Sequence, residues 1–447
     1  MTRPTATAPL VAAGPSGASG APTDRRLLAG VVPGRALTLS EHTAAHGHLP
    51  RVHGRLLGPH RHPLVAELAR AGIGGRGGAG FPFGRKLEAV TRARRRPVVV
   101  VNVAESEPAA AKDAVLSSLA PHLVLDGAEV AARLVGAREV VLWTHGRDGT
   151  VPASYRAALR ERRRGRGLFR VVEGPDRYVA GESSAIVRFL SGGPAKPTMT
   201  PPRVSDRGVD GRPTLLSNAE TYAHVALVAR HGAAWFRSVG TPEEPGTLLV
   251  TLSGAVERPG VVEVPFGTPV ADVLAAAGGL TEPVTAVLAG GYGGGFLPFE
   301  RVRHLSLTRA AFRDADGDLG VGLLAFLPAR RCGVAETDRL VGWLAGESAG
   351  QCGPCRHGLP AMARAWHHLA TAGDPAAPGL LRRWSDMVVG RGACHHPDGV
   401  AQLVRSALAA FPSDVDRHLT RGRCAGCDEP AVLPVPQVPG PRRWGRR

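Results

Sequence analysis

The run Pro97-Val98-Val99-Val100-Val101-Asn102-Val103 constrains this chain more than any other stretch. Consecutive β-branched residues with no polar alternate read as a strand that meets apolar neighbours on both faces. Such strands belong to sheets covered by helices on either side. Helical periodicity from Lys112 to about Val135, a strand at Glu139–Trp143, a helix at Ala153–Arg163 and a strand at Leu168–Glu173 then continue the alternation. A βαβαβ order predicts a mostly parallel sheet. Ligands of such sheets collect beyond the carboxyl ends of the strands, which is where the acidic turn Ala104-Glu105-Ser106-Glu107-Pro108 stands.

Ahead of that strand lies Gly72-Ile73-Gly74-Gly75-Arg76-Gly77-Gly78-Ala79-Gly80-Phe81-Pro82-Phe83-Gly84-Arg85-Lys86, with six glycines in its first nine residues. Without Cβ atoms in the way, several N–H groups can converge on the oxygens of a phosphate. Arg76 and Lys86 add positive charge, and Phe81 and Phe83 offer faces for a flat ring system. A chain with 58 glycines also acquires flexible loops by chance. The usual dinucleotide fingerprint follows a strand, whereas Pro63–Arg70 reads as a helix with proline in its first turn, so the glycines alone would mislead.

The 447 residues allow two to four domains, and 43% hydrophobic residues suit a globular protein. No stretch is long and apolar enough for a membrane span or a signal peptide, which gives a cytoplasmic expectation. The net charge of +17 raises nucleic acid as a partner, but the arginines are scattered or in short clusters without interleaved aromatics, so none is expected. Lysine is confined to Lys86, Lys112 and Lys196, and two of these fall in the nucleotide-site stretches. Five of the six cysteines follow residue 350, which points to metal or redox chemistry in a carboxyl-terminal region.

Further along, Tyr178-Val179-Ala180-Gly181-Glu182-Ser183 enters a helix, and Leu216-Ser217-Asn218-Ala219-Glu220-Thr221 reads as a cap. Gly246–Val264 predicts two strands around a Pro-Gly turn, with a short helix to Ala277. Gly290-Gly291-Tyr292-Gly293-Gly294-Gly295 has no close basic residue and is read as structural. From Thr337 to Leu419 the pattern is helical, and it carries Glu347-Ser348-Ala349-Gly350-Gln351-Cys352-Gly353-Pro354-Cys355-Arg356 and the remote Cys394. Two thiolates on one turn suit iron–sulfur or zinc ligation.

Taken together, the glycine loop with its Phe-Pro-x-Gly-x-Lys, the Asn-x-x-Glu-x-Glu-Pro turn, Gly181-Glu182, the Asn218 segment and the cysteine string resemble one family. It is the FMN- and NADH-binding iron–sulfur subunit of bacterial respiratory complex I, with its hydrogenase and formate dehydrogenase relatives. The resemblance spans roughly residues 60–420. It implies an α/β fold: a Rossmann-like FMN-binding domain, a small β-grasp domain of the SLBB type and a helical iron–sulfur domain. The expected limits are 26–240, 246–330 and 331–428, between loose tails at 1–25 and 429–447.

The resemblance implies electron transfer from NAD(H) or NADP(H) through FMN to an iron–sulfur centre, with Glu107 orienting the donor. Gly75, Arg76, Gly77, Gly78, Gly80, Phe81, Lys86, Asn102, Glu105, Tyr178, Gly181, Glu182, Asn218 and Thr221 would surround the cofactors. Cys352, Cys355 and Cys394 would hold a 4Fe-4S cluster whose remaining family ligand falls on Ala349. Cys332, Cys424, Cys427, a histidine or water are the candidates to complete it. Cys424-x-x-Cys427 lies beyond the family pattern and alternatively binds zinc with partners the sequence does not name, while Cys332 alone reads as a small buried hydrophobe. Five further positions depart from the pattern, Leu87, Ala104, Ser183, Thr200 and Arg203, so FMN binding is a firmer expectation than NADH oxidation. A ferredoxin or a 2Fe-2S subunit would be the redox partner, in a complex peripheral to the inner face of the cell membrane. Against this stands a non-catalytic assembly homologue that has lost NADH oxidation or the cluster.

Overall fold

The computed structural model describes residues 25–50, 52, 62–92, 95–145, 149–162, 165–436 and 444. The expected amino-terminal tail lies outside them apart from Arg25.

The valine run is β1 (Val98–Asn102), in a sheet with β2 (Val140–His145), β3 (Phe169–Gly174) and β4 (Thr214–Asn218), in the order β3-β2-β1-β4. Every pairing is parallel. Val99 and Val101 with Val140 and Leu142 enter a core shared with the helices Pro121–Val135 and Ala219–Phe236. Val98 and Val100 with Val141 and Trp143 enter a separate core with Ile186 and Phe189 of the helix Ser183–Leu190. The strand is therefore buried on both faces, as its composition requires. β4 was not legible in the sequence, since Thr-Leu-Leu-Ser-Asn carries no alternation. It forms on the free edge of β1, in a register that sets Asn218 beside Asn102 at the carboxyl ends.

The helix expected from Lys112 to Val135 is two helices, Lys112–Leu119 and Pro121–Val135. Pro121 lacks an N–H and disfavours helical geometry at Ala120, which adopts φ −126° and ψ 49°. Leu27 and Leu28, in a stretch the sequence left unplaced, are buried, and their N–H groups donate to the buried carboxylate of Glu263.

The second sheet comprises β5 (Thr247–Gly254), β6 (Gly260–Pro265), β7 (Val284–Ala289), β8 (Gly295–Pro298) and β9 (Leu323–Pro328), ordered β6-β5-β9-β7-β8. β5 and β9 run parallel, and the other pairs are antiparallel, which gives the mixed sheet of a grasp fold. Strand alternation splits its side chains. Val287, Ala289, Leu324 and Phe326 face the sheet's own helices, while Leu288, Leu323, Ala325 and Leu327 face the carboxyl-terminal helices. Those helices, Gly333–Gly346, Leu359–Ala372, Ala377–Val388, His396–Ala410 and Pro412–Arg421, thus share a core with the grasp sheet.

Residues 429–436, expected to be loose, instead pack against this region. Leu433 is 2% exposed; its N–H donates to Glu336 Oε1 at 2.7 Å, and its carbonyl accepts from Arg339 at 3.1 Å. Leu433, with Val432 and Val435 packed half-buried beside it, and a buried carboxylate that accepts from the segment dock it. No helix among the described residues is long and apolar enough to cross a membrane.

Candidate functional site

Four segments meet at the carboxyl edge of the parallel sheet. The glycine loop closes at its base through Gly75 N–H to the Phe81 carbonyl (3.0 Å) and Phe83 N–H to the Ile73 carbonyl (2.9 Å). It is tied to the sheet where Arg76 N–H donates to Thr221 Oγ1 at 3.1 Å. A Cβ on Gly77 would stand 3.5 Å from that of Asn218, so the loop's apex lies over the end of β4. Gly78 and Gly80 take φ of 109° and 65°, the left-handed region. Among the described residues, no protein group accepts from the amides of Gly77, Gly78, Ala79 or Gly80. Unspent amides at a loop apex form an anion cradle.

Arg76 corrects the sequence expectation. Its side chain was expected to reach the anion, but it is 4% exposed and turns inward. It donates to the carbonyls of Gly74 and Thr247, both at 3.0 Å, and lies 3.5 Å from Glu220. Lys86 likewise secures the loop's exit by donating to the Leu216 carbonyl of β4 at 3.1 Å. Phe81 remains 41% exposed and free to stack.

Asn102 donates to the Gly181 carbonyl at 2.9 Å and accepts from Ala104 N–H at 3.2 Å, which joins the acidic turn to the third segment. A Cβ on Gly181 would collide with Ser106 Oγ, so a side chain there would require that hydroxyl to rotate away. Glu182 caps the helix Ser183–Leu190 by accepting from Ser184 and Ala185 N–H. Asn218 caps its own helix at Glu220 N–H (3.0 Å) and donates to Asp113 at 2.8 Å.

A buried charge cluster underlies these caps. Lys112 Nζ lies 3.0 Å from both Asp113 and Glu220. Burial alone would push Lys112 down, but the carboxylates of Asp113, Glu220 and Glu105 hold it above the ordinary lysine range. Burial would raise Glu220, yet Lys112, His224 and Arg76 draw it to about 2. Glu105 accepts from Asp113 N–H at 2.8 Å, and burial with the neighbouring Asp113 charge lifts it to about 8.

Glu107 is 6% exposed. Its Oε2 accepts from Tyr292 N–H at 2.9 Å and from the Tyr178 hydroxyl at 3.2 Å, whereas Oε1 has no hydrogen-bond partner. Burial lifts this carboxyl to about 8 against those two bonds. The loop Gly290–Gly295 therefore closes over the site, and Tyr292 was not anticipated from sequence because it arrives from the grasp domain.

The cysteine string approaches from the other side. Glu347 accepts from Tyr178 N–H at 2.9 Å and pairs with Arg177 at 2.9 Å. Cys394 is pushed up to about 12, by burial first and then by the nearby Cys355, Glu182 and Cys352. Cys355, Glu182 and Cys352 thus lie near enough to act on Cys394, but among the described residues Cys352, Cys355 and Cys394 do not form a set whose ligand atoms all lie within 4.8 Å of one another. Ala349 is buried, with its carbonyl accepting from Lys196 at 2.9 Å. Cys332, Cys424 and Cys427 do not join these three cysteines; they assemble around His418 instead.

On the donor side, Leu87 points into the hydrophobic core, so it is not a lost stacking contact facing the ligand. Thr200 and Arg203 are both exposed.

Residues 68–227 match the Nuo51 FMN-binding domain, 249–309 the SLBB domain and 335–418 the NADH-ubiquinone oxidoreductase-F iron-sulfur binding region. An NADH-quinone oxidoreductase subunit of Mycobacterium tuberculosis is 32% identical over 387 residues, covering 81% of this chain and 85% of its own. The equivalent NADH-quinone oxidoreductase subunit of Rhizobium meliloti is 29% identical over 404 residues, 86% and 95% of the two chains. The crystal structure of an NAD+-reducing NiFe-hydrogenase in the H2-reduced state superposes with a TM-score of 0.73 at 28% identity. That alignment covers 80% of this chain and spans 62% of the hydrogenase chain.

Proposed function

The chain belongs to the family of NADH-quinone oxidoreductase subunits that carry the Nuo51 FMN-binding domain, and from that premise we propose that it is an electron-transfer flavoprotein subunit that oxidises NADH or NADPH. FMN fits the site, because the loop apex has unspent amides for a phosphate and Phe81 offers an exposed ring. When bound, it supplies acceptance of a hydride and release of electrons one at a time, which no side chain provides.

The amides of Gly77, Gly78 and Gly80 hold the phosphate. Gly75 lets the loop close, and Arg76, Lys86 and Thr221 fix it to the sheet. Asn102, Glu105, Gly181, Glu182 and Asn218 build the floor, while Tyr178 and Glu107 face the donor and orient it. Cys352, Cys355 and Cys394 would hold the iron–sulfur centre, giving it three protein thiolates. The working domains are 26–240, 246–330 and 331–428.

The observation that carries this reading is the meeting of the free loop amides with the Asn102, Gly181 and Asn218 segments at one sheet edge. The relatives are named as subunits, which supports a place in a multi-subunit complex. Its acceptor would be a ferredoxin or a 2Fe-2S subunit, with the complex peripheral to the inner face of the membrane. Anaerobic purification with flavin, iron and sulfide analysis, followed by stopped-flow reduction with NADH and NADPH, tests the proposal. FMN near one per chain that bleaches with either donor supports it; colourless protein that takes up no FMN rejects it. A second reading, FMN binding without a working cluster, is favoured by Ala349 alone and predicts a reducible flavin with no iron.

A further inference from the structure

Outside the flavin site, four side chains far apart in sequence close on one point: Cys332, His418, Cys424 and Cys427 have ligand atoms that all lie within 4.8 Å of one another. His418 Nε2 stands 3.2 Å from Cys332 Sγ and 3.4 Å from Cys427 Sγ, and the sulfurs of Cys424 and Cys427 are 3.7 Å apart. A tetrahedral ion with bonds of about 2.3 Å to sulfur and about 2.0 Å to nitrogen has edges of roughly 3.8 Å between sulfurs and roughly 3.5 Å between sulfur and nitrogen. The observed separations sit close to those edges. They are far longer than the bond of about 2.0 Å in a disulfide, and all six cysteines are free.

The backbone is arranged for this convergence. Cys332 ends the approach from β9 and caps the helix Gly333–Gly346. His418 belongs to the helix Pro412–Arg421, is 0% exposed, and leaves its Nδ1 without a hydrogen-bond partner. Cys424-Ala-Gly-Cys427 forms a tight turn in which Cys427 N–H donates to the Cys424 carbonyl at 3.1 Å. Cys332 N–H donates to the Gly426 carbonyl at 3.3 Å, and a Cβ on Gly426 would stand 2.8 Å from the Cys332 nitrogen. Glycine thus lets the knuckle lie against Cys332. Arg417 pairs with Asp414 and lies against Cys424, which places a cation beside the thiolate charge that three coordinated cysteines would bring.

We propose that Cys332, His418, Cys424 and Cys427 bind one zinc ion. Four protein ligands, two buried and two half-buried, leave no open position, so the ion is structural. The site is distinct from the iron–sulfur centre, because Cys352, Cys355 and Cys394 are not in the set and three of its four ligands lie outside the matched iron–sulfur region. Its position gives it a purpose. The chain leaving Cys427 buries Leu433 and presents the Pro434 carbonyl to the Tyr292 hydroxyl at 2.7 Å, and Tyr292 N–H holds Glu107. The ion fixes the segment that braces the loop over the donor side of the site.

Metal analysis of the full-length protein after passage over a chelating resin tests this. One zinc per chain is expected, and Cys424→Ser and Cys427→Ser should each lose it while retaining FMN and iron near parental levels. Protein prepared with cobalt should show the intense visible bands of a tetrahedral site and thiolate-to-cobalt charge transfer, a readout on the parent chain that stands even where a variant fails to fold. Full zinc retention in both serine variants overturns the proposal. So does a parent without zinc and without the cobalt bands, or a loss of iron rather than zinc in the variants, which would assign these cysteines to an iron centre.

Discussion

Gly77 and Gly78 sit side by side in the loop yet differ in what a side chain would meet. A Cβ at Gly77 touches Asn218 only at ordinary van der Waals distance, 3.5 Å. Gly77→Val is therefore expected to leave the fold intact and to lower FMN affinity at least about tenfold, or roughly 1.4 kcal/mol, by crowding the amides. Gly78→Val, at φ 109°, should also destabilise the chain by about 1–3 kcal/mol. Flavin fluorescence after gel filtration and thermal melts separate the two effects. Glu107 gives a pH signature. Its folded value of about 8 exceeds the ordinary 4.5, so the flavin-free native state binds more protons than the unfolded chain between those values. The contribution of Glu107 to stability therefore falls as pH rises from about 4.5 to about 8, as does that of Glu105. The buried His46, His122, His224 and His396, held low by burial, act in the opposite sense below about 6.5. Glu107→Gln should remove its share of the fall, most visibly between about 6.5 and 8. Denaturant midpoints across that window check the sign. Ala349→Cys should raise iron and sulfide content and alter the paramagnetic signature by adding a thiolate at the family position.

Among the elements, the crossing of Pro121–Val135 over Ala219–Phe236 is the least forgiving contact. A methyl group on Gly127 would enter the carbonyl of Tyr222, a backbone atom that cannot swing aside. Gly127→Ala should cost at least the roughly 1–3 kcal/mol usual for overpacking, read as a lowered melting temperature. It should also weaken flavin binding, since the second helix begins at the Asn218 cap. Sequence periodicity located the first helix only as part of a single helix from Lys112, and of the second the sequence showed only its Asn218 cap. It could not locate β4, whose five residues acquire strand geometry only from the edge of β1. Nor could it see that Arg76 would be drawn inward, a result of Glu220 being buried on a different element.

At the scale of the whole molecule, the +17 charge and sequence pI near 10.9 favour encounters with acidic partners. Electron delivery to an acidic ferredoxin should slow steeply as salt shortens the screening length toward about 8 Å, while delivery to a neutral quinone analogue should change little. Steady-state rates across a salt series decide it. The three domains are not independent bodies, because the grasp sheet gives one face to the carboxyl-terminal helices and sends Tyr292 to Glu107.

The sequence by itself determined the doubly covered parallel sheet, the glycine loop and the cysteine string, because each depends on residues close together along the chain. A run of valines, a set of missing Cβ atoms and a Cys-x-x-Cys impose their constraints locally. Only the tertiary structure decided that Arg76 supports the loop from behind, that Tyr292 reaches Glu107, and that Cys332 joins His418, Cys424 and Cys427. Those pairings span up to 185 residues, and they arise where buried charges and unsatisfied donors find partners only after the layers have packed.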